Sequence, residues 1–138
     1  MTSHQLCVEP QVCEIPRLID WVASCCGADR LDDDLTFKMT LAIEEAVTNL
    51  IDHAFADLPP PHLITVRLAI TAELVAAEII DNARPFDPTA APDPDLSLPL
   101  EQRDPGGLGV HLMRSMMDGL QYRRSDGRNI LRLEKARG

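Results

Sequence analysis

Apolar residues recur along this chain with two different periods, which predict an order of helices and strands. Helical spacing of three to four residues occurs over residues 14–26 and again over residues 35–55. The alternation of apolar and polar residues that is typical of strands occurs over residues 62–70 and 74–80. A tight turn at residues 71–73 would join these two strands, so we expect them to pair antiparallel.

Shorter segments complete the predicted order. A first strand is expected at residues 6–9 and a short helix at residues 109–117. Two final strands, at residues 120–124 and 129–134, flank residues 125–128, whose Asp-Gly pair is typical of a β-hairpin turn. This order predicts an α+β fold, a two-layer α/β sandwich with a mostly antiparallel mixed sheet and helices on one face.

Capping residues and an apolar stripe define the two predicted long helices. Pro16 fits the first turn of the first helix, and Gly27 is expected to end it. The acidic run at residues 32–34 suits the start of the second helix, where carboxylates accept from free N–H groups. The second helix carries a stripe that is predicted to be buried: Leu35, Met39, Ala42, Ala46 and Leu50.

Composition changes between residues 82 and 107, which hold six of the 11 prolines and five acidic residues. A loop of this length inside a compact domain is usually functional or disordered. We therefore expect a mobile loop between the strand predicted at residues 74–80 and the short helix predicted at residues 109–117.

Length and charge limit the possible functions. A chain of 138 residues fits one domain, residues 1–138. Its net charge of −9 argues against direct binding of nucleic acid, which needs a basic face, and is compatible with a protein partner that carries a basic patch. No apolar run approaches the length of a membrane span, and no signal peptide is recognised, so a cytoplasmic protein is expected. The four cysteines form no C-x-x-C pair and are expected to be reduced.

One helical face carries a first candidate site. Glu45, Asn49 and His53 lie four residues apart, so they share a face of the predicted helix. The carboxylate can accept a proton, the amide oxygen can ligate Mg²⁺, and the imidazole can contact a phosphate. A solvated polar face is the more common explanation for such a row on an isolated helix.

Two further motifs follow along the chain. Asp81 comes directly after an apolar strand, where its carboxylate can accept from an exocyclic amine such as that of adenine, although an Asx turn is also common there. The glycine-rich stretch 106–109 precedes the short helix, so its N–H groups can close on an anion, although a flexible hinge has the same composition.

The three motifs in this order are more specific than each motif alone. A polar helix face, an aspartate at a strand end, a long loop and a glycine turn into a helix resemble the GHKL-type (Bergerat) ATP-binding fold. Within it, the chain resembles the anti-sigma factor serine/threonine protein kinases over about residues 10–135. The most specific match is the Glu-Ala-Val-Thr-Asn stretch at 45–49, which looks like their N box; residues 84–88 and 107–109 also match.

The resemblance implies a role for each matching residue. Glu45 is the expected general base, Asn49 the ligand of Mg²⁺, and Asp81 the partner of the adenine amine. An ATP lid is expected at about residues 87–105, with Arg103 meeting the γ-phosphate. The complete implied set of nucleotide-binding residues is Asn49, His53, Asp81, Ala83, Pro85, Phe86, Arg103, Gly106, Gly107, Leu108, Gly109, Val110 and Asn129.

The implied function is ATP- and Mg²⁺-dependent phosphorylation of an anti-sigma-factor antagonist of the STAS type, together with binding of a sigma factor, by a homodimer. A nucleotide-binding switch without kinase turnover is the alternative, favoured by Ala83 and Pro105, which stand where the family usually has glycines. A histidine kinase fragment is disfavoured because no helical phospho-acceptor region fits in this length. An unrelated α+β domain stays open until ATP binding is tested.

Overall fold

The computed structural model describes residues 1–55, 57–90, 97 and 107–138, with the side chains of Gly107 and Leu108 excepted. Over these residues, three α-helices and five β-strands follow one another, with short 3₁₀ turns at Val12–Glu14 and Pro88–Ala90. The elements are β1 (Thr2–Val8), α1 (Ile15–Ala28), α2 (Asp33–Asn49), β2 (Ile64–Ile70), β3 (Leu74–Asp81), α3 (Gly107–Met116), β4 (Gly119–Ser125) and β5 (Arg128–Ala136).

The five strands form one sheet in the order β1-β2-β3-β5-β4. Each neighbouring pair is antiparallel, so over the described residues the sheet is antiparallel throughout and the predicted mixed character is wrong. The predicted pairing of β2 with β3 is confirmed, with Ile64 opposite Asp81. Because β5 lies next to β3, Asn129 also comes to lie opposite Asp81.

The core lies between the helices and one face of this sheet. Along β2 every second residue is buried, from Ile64 to Ile70, as the alternating pattern predicted. The stripe predicted on the second helix is buried in full: Leu35, Met39, Ala42, Ala46 and Leu50. The α+β two-layer architecture is therefore confirmed.

The second helix differs from its prediction at its end. It is α-helical only to Asn49 and continues as one turn of π-helix, Leu50–Ala54, whereas a regular helix was expected over 35–55. In a π turn, residues five apart lie above one another. Leu50 and Phe55, five residues apart, are both buried, so the wider turn keeps both side chains in the core.

Two other boundaries also differ from the prediction. The strand expected at residues 6–9 is β1 and begins at Thr2, because its polar first half pairs with β2 at the sheet edge and shows little apolar pattern. Gly27 does not end the first helix, which runs to Ala28. The chain turns just after it, where Arg30 adopts a φ of 57°.

The predicted cap at the start of the second helix and the predicted hairpin turn are confirmed. The Asp32 side chain accepts a hydrogen bond from the Leu35 N–H at 2.7 Å and so caps α2. Asp126 and Gly127 both have positive φ, 52° and 76°, as a tight hairpin turn between β4 and β5 requires. Among the described residues, no helix has the length and apolarity needed to cross a bilayer.

Candidate functional site

A cleft opens between α2, α3 and the end of the sheet where β3 stops and β5 starts. It is narrow, with a cavity volume of only about 20 Å³. Apolar side chains form most of its wall, and a few polar groups converge on it. The lining residues are Ala46, Asn49, Leu50, Ile79, Asp81, Phe86, Pro88, Met113, Tyr122, Asn129 and Leu131.

Asp81 is the buried charge of this cleft. Its side chain, at the last position of β3, is only 3% exposed. Oδ1 accepts from the Ala83 N–H and from Asn129 Nδ2, both at 2.9 Å, and within the described part of the chain Oδ2 accepts no hydrogen bond. The second carboxylate oxygen is therefore available to a donor on a ligand, as an adenine site requires.

Burial sets the protonation of this aspartate. Desolvation raises the pKa of Asp81, and the hydrogen bonds from Asn129 and from the Ala83 N–H, with the nearby charge of Arg124, partly offset the rise. A carboxylate that remains buried at a cleft wall against this penalty is typical of a binding site.

Asn129, at the start of β5, is the second buried polar residue and is also 3% exposed. Its Oδ1 accepts from the Tyr122 hydroxyl at 2.6 Å and from the Arg124 guanidinium at 3.1 Å. Arg124 also donates to the Ala83 carbonyl at 2.8 Å. The sequence prediction named Asn129 but missed Tyr122 and Arg124. These two residues lie two apart on a predicted strand and face the same side as Leu120. That pattern is the signal that could have found them.

The glycine turn meets the polar face of α2 at Gly109. A Cβ placed on Gly109 would lie 2.6 Å from Glu45 Oε2 and 3.9 Å from Asn49 Nδ2. Contacts of 2.6 Å are closer than real Cβ atoms make, so a side chain at position 109 would displace the Glu45 carboxylate from its position beside α3. The structure thus brings together two motifs that lie about 60 residues apart in the sequence.

Glu45 is half-buried in this contact. Burial raises the pKa of its carboxyl, and the negative charge of the neighbouring Glu44 raises it further. A carboxylate with a raised pKa is a better proton acceptor than an ordinary surface glutamate. Glu45 therefore has the properties of a general base one helical turn from Asn49, which lines the cleft.

Other predicted residues lie further from this centre. His53 is exposed on the π turn and is absent from the cleft lining, because the four-residue repeat that joins Glu45 to Asn49 ends where the α-helix ends. Pro85 is exposed, and Phe86 is 48% exposed while lining the cleft.

The remaining predicted residues pack in the core or fall outside the described part. Ala83 is 2% exposed in the core, with its N–H bound to Asp81. Val110 is 3% exposed, also in the core, and Gly107 begins α3. Arg103, Gly106, the Leu108 side chain and most of the expected lid lie outside the described residues.

The donor set of the cleft suits Mg²⁺ held together with phosphates. No group of three or more His, Cys, Asp or Glu side chains that could hold a metal occurs within the described ranges. Mg²⁺ keeps several waters and is usually bound through one or two protein oxygens plus substrate phosphates. The Asn49 amide oxygen next to the Glu45 carboxylate fits that mode.

Comparison with known proteins assigns the family. The model of the histidine kinase-like ATPase domain family matches residues 8–135. The chain belongs to this family. A relative from Bordetella bronchiseptica, "Serine/threonine-protein kinase BtrW", is 38% identical over 82% of this chain and 79% of its own length. A Bacillus cereus relative, "Serine-protein kinase RsbW", is 28% identical over 72% of the chain. This histidine kinase-like domain matches 62% of that relative, less than two thirds of its length.

Solved structures agree on the fold. The RsbU and RsbW domains of a Mycobacterium tuberculosis protein superpose with a TM-score of 0.71 over the whole of this chain and 34% of that one, at 13% identity. The histidine kinase domain of a blue-light activated kinase from Erythrobacter litoralis gives a TM-score of 0.56 over 91% of this chain and 60% of that one, at 16% identity. At these identities the likeness concerns the fold of this histidine kinase-like domain.

Proposed function

We propose that this chain is an ATP-dependent serine/threonine protein kinase of the anti-sigma type. It transfers the γ-phosphoryl group of ATP to a serine or threonine of an anti-sigma-factor antagonist of the STAS type, and it binds a sigma factor. Its membership of the histidine kinase-like ATPase family and its 38% identical serine/threonine kinase relative support the transfer reaction. The motif resemblance described above supports the choice of partners.

One observation carries the proposal: the approach of α3 to α2 at Gly109. It brings a carboxylate with a raised pKa and a helix N-terminus next to Asn49, which lines the cleft, while Asp81 lies in the wall of the same cleft. A helix N-terminus favours anions, and a buried acceptor favours an amine. The two ends thus match the phosphates and the base of ATP.

The residues of the chain divide the work between binding and proton transfer. ATP supplies the phosphoryl group, and Mg²⁺ would neutralise part of the phosphate charge. Asn49 would supply an amide oxygen to the metal, and the α3 N-terminus would attract the phosphates. Glu45 accepts the proton of the attacking serine or threonine hydroxyl, which is a poor nucleophile until its proton is removed.

The alternative of a switch without turnover was favoured by Ala83, whose methyl group stands where the family has a glycine. Ala83 is buried in the core and does not line the cleft, and its backbone groups bind Asp81 and Arg124. The methyl group therefore does not occupy the space of a base, and this observation no longer argues against nucleotide turnover.

The decisive experiment compares Glu45→Gln with Glu44→Gln. Glu45→Gln keeps size and polarity but cannot take the proton, so transfer to the antagonist should fall by ~10²–10⁴-fold, the usual effect of losing a general base. Mg-ATP affinity, measured by calorimetry, should stay within a few-fold. Glu44→Gln makes the same change one residue away, about 100° around the helix, and should retain transfer.

Transfer by Glu45→Gln at the parent rate would show that Glu45 is not the base. A parent protein that binds Mg-ATP but phosphorylates no antagonist would favour the switch.

The proposal also includes Mg²⁺ at Asn49, a homodimer in the cytoplasm, one domain over residues 1–138, and phosphate contacts by Arg103 and Gly106. Asn49→Ala should therefore weaken the Mg²⁺-dependent part of ATP binding.

A further inference from the structure

The outer surface of the helix layer carries solvent-facing apolar side chains beside the proposed general base. Phe37, on α2, is 61% exposed. Leu41, one turn further along the same helix, and Leu112, on α3, are half-buried, and neither belongs to the buried core. An apolar patch on the surface of a protein is typical of an interaction site. Phe37, Leu41 and Leu112 are called the outer patch below.

The direction of α3 brings the members of this patch together. At the start of α3, Gly109 lies against Glu45 of α2. Just after its end, the pKa of Asp118 is lowered first by a hydrogen bond from the Ala136 N–H and, more weakly, by positive charges that include Lys38 of α2. Because Lys38 precedes Glu45 in the sequence, α3 runs antiparallel to α2 along their contact.

Helical geometry then places two leucines on the solvent side of that contact. Val110 and Met113 of α3 are 3% and 0% exposed, so they define the side that faces the core. Leu112 is turned about 100° away from Met113 and further from Val110, toward solvent. Leu41 lies one turn before Glu45 on α2. The two leucines therefore flank the α2–α3 contact next to the Glu45 carboxylate.

A protein that receives the phosphoryl group has to cover this patch. Its serine or threonine hydroxyl must reach Glu45, because a general base takes a proton within hydrogen-bond distance. A stable protein interface covers about 800 Å² on each partner, which corresponds to a disc of about 16 Å radius. Phe37 precedes Glu45 by eight residues, about 12 Å along the helix axis. The patch thus lies within the footprint of such a partner.

Charge beside the patch defines the chemistry of that partner. Asp33 and Asp34, one turn before Phe37, are both exposed. An ion pair with Lys38 at 2.9 Å neutralises Asp34 but not Asp33. The complementary surface is apolar with a basic residue at its edge. A second copy of this chain would present the same acidic edge to itself, so the charge favours a different protein.

We propose that the outer patch is the docking surface for the phosphoacceptor protein, with Phe37 as the apolar anchor. This inference rests on the proposed function, since it brings the acceptor hydroxyl to Glu45. Phe37 touches neither the nucleotide nor the reacting atoms in this scheme. A docking contact of this kind is formed equally before and during the reaction, so it changes the affinity for the substrate and leaves the chemical step unchanged.

The test follows phosphorylation of a purified STAS-type antagonist at saturating Mg-ATP, with the antagonist concentration varied. Phe37→Ala should raise the KM for the antagonist at least tenfold, as expected when an aromatic anchor is removed from an interface, and should leave kcat within about twofold. Leu112→Ala, on the other helix, should raise the same KM by a smaller factor. The dissociation constant of Mg-ATP should stay at the parent value in both variants.

Two control variants separate docking from a general effect of truncation. Phe37→Leu keeps an apolar side chain at the anchor position and should hold the KM within about threefold of the parent. Leu63→Ala shortens another apolar side chain, which is 45% exposed just before β2 and lies outside both helices. It should leave the KM for the antagonist unchanged.

A KM for Phe37→Ala within twofold of the parent would overturn the docking role, and so would a loss confined to kcat. A lower molecular mass of Phe37→Ala in sedimentation equilibrium would also overturn it, because the patch would then lie between copies of this chain. If Phe37→Ala does not fold, the KM of Leu112→Ala decides in its place. A parent that phosphorylates no antagonist overturns the proposed function, whereas parent-like KM values in variants of an active parent overturn this inference alone.

Discussion

Asp81 and Glu45 are both carboxylates whose pKa is raised by burial; Asp81 lies in the wall of the cleft, and Glu45 lies one helical turn from Asn49, which also lines it. A buried charge destabilises a fold unless its interactions compensate for the lost hydration. The raised pKa values show that compensation is incomplete at both positions. The protein therefore holds two charges at some expense of stability, and this leads to a separate prediction for each residue.

Asp81→Asn should stabilise the protein and weaken ATP binding. The amide oxygen can still accept from Ala83 N–H and Asn129, so the variant keeps both bonds while removing the buried charge. Because the pKa of Asp81 is raised in the folded state, its ionisation lowers the stability of the parent as pH rises from the unfolded pKa through the folded one. The melting temperature of Asp81→Asn should exceed that of the parent above this window.

Calorimetry of the same variant should show at least tenfold weaker Mg-ATP binding, the order expected for one lost hydrogen bond to a charged group. Equal ATP affinity in the two proteins would show that Asp81 does not contact the base. A lower melting temperature at neutral pH would show that its charge is fully compensated in the fold.

Glu44 should set the acid limb of the pH profile through its charge. Transfer requires ionised Glu45, so the rate falls as pH drops through the pKa of Glu45, which burial and Glu44 both raise. Glu44→Gln removes the second cause and should move the acid limb of kcat to lower pH, while the rate at neutral pH stays near that of the parent. An unmoved limb would mean that another group titrates there.

At the scale of elements, the close contact between α2 and α3 is what assembles the phosphate end of the site. Neither helix carries a complete set of groups: α2 provides Glu45 and Asn49, and α3 provides its N-terminus and Gly109. A side chain at position 109 would displace the Glu45 carboxylate from this contact. This can be tested with a single methyl group.

Gly109→Ala should disable transfer with little loss of folding. Its Cβ would lie 2.6 Å from Glu45 Oε2, so the carboxylate must move away from its position. We expect a fall in kcat of ~10²-fold or more, the effect of misplacing a reacting group by about 1 Å. Circular dichroism should show an unchanged fold.

Gly27→Ala is the matched control for this substitution. Gly27 lies inside α1, where a Cβ would meet nothing within 4 Å. Alanine is a better helix former by about 0.5–1 kcal/mol, so the free energy of unfolding should rise by up to that amount while kcat stays unchanged. Equal activity loss in both variants would point to a general effect of the added methyl group.

Regular elements could be predicted from the sequence wherever side chains alone define them. The buried stripe of α2 and the β4–β5 hairpin turn follow from spacing and from an Asp-Gly pair, and both are confirmed. The π turn at Leu50–Ala54 could not be predicted, because it depends on Leu50 and Phe55 reaching the same core. For the same reason, the face expected to include His53 stops at Asn49.

The site was predictable where it depends on residue type and not where it depends on packing. The side chains of Glu45, Asn49 and Asp81 indicate a role through their chemistry and their spacing along the chain. Tyr122 and Arg124 have ordinary strand residues as neighbours, and their role arises only because β5 lies between β4 and β3. That strand order depends on contacts between distant parts of the chain.

At the scale of the whole molecule, the antiparallel sheet makes one end of the fold polar and the rest of its inner face apolar. Asp81 ends β3 and Asn129 begins β5, so the two meet although they are 48 residues apart. The described helices cover this face of the sheet, which places the cleft at the edge of the core. The proposed base end thus lies on the sheet, and the proposed phosphate end on the α2–α3 contact.

The hairpin of β4 and β5 has a consequence for engineering. Tyr122, Arg124 and Asn129 lie within eight consecutive residues on either side of one tight turn, and among the described contacts none of them touches Glu45 or Gly109. The hydrogen-bond partners of Asp81 on this hairpin are therefore separate from the residues proposed for phosphoryl transfer. A mutant library confined to residues 122–129 could change the base that the protein accepts, for example to a modified purine analogue. The residues proposed for phosphoryl transfer would stay unchanged.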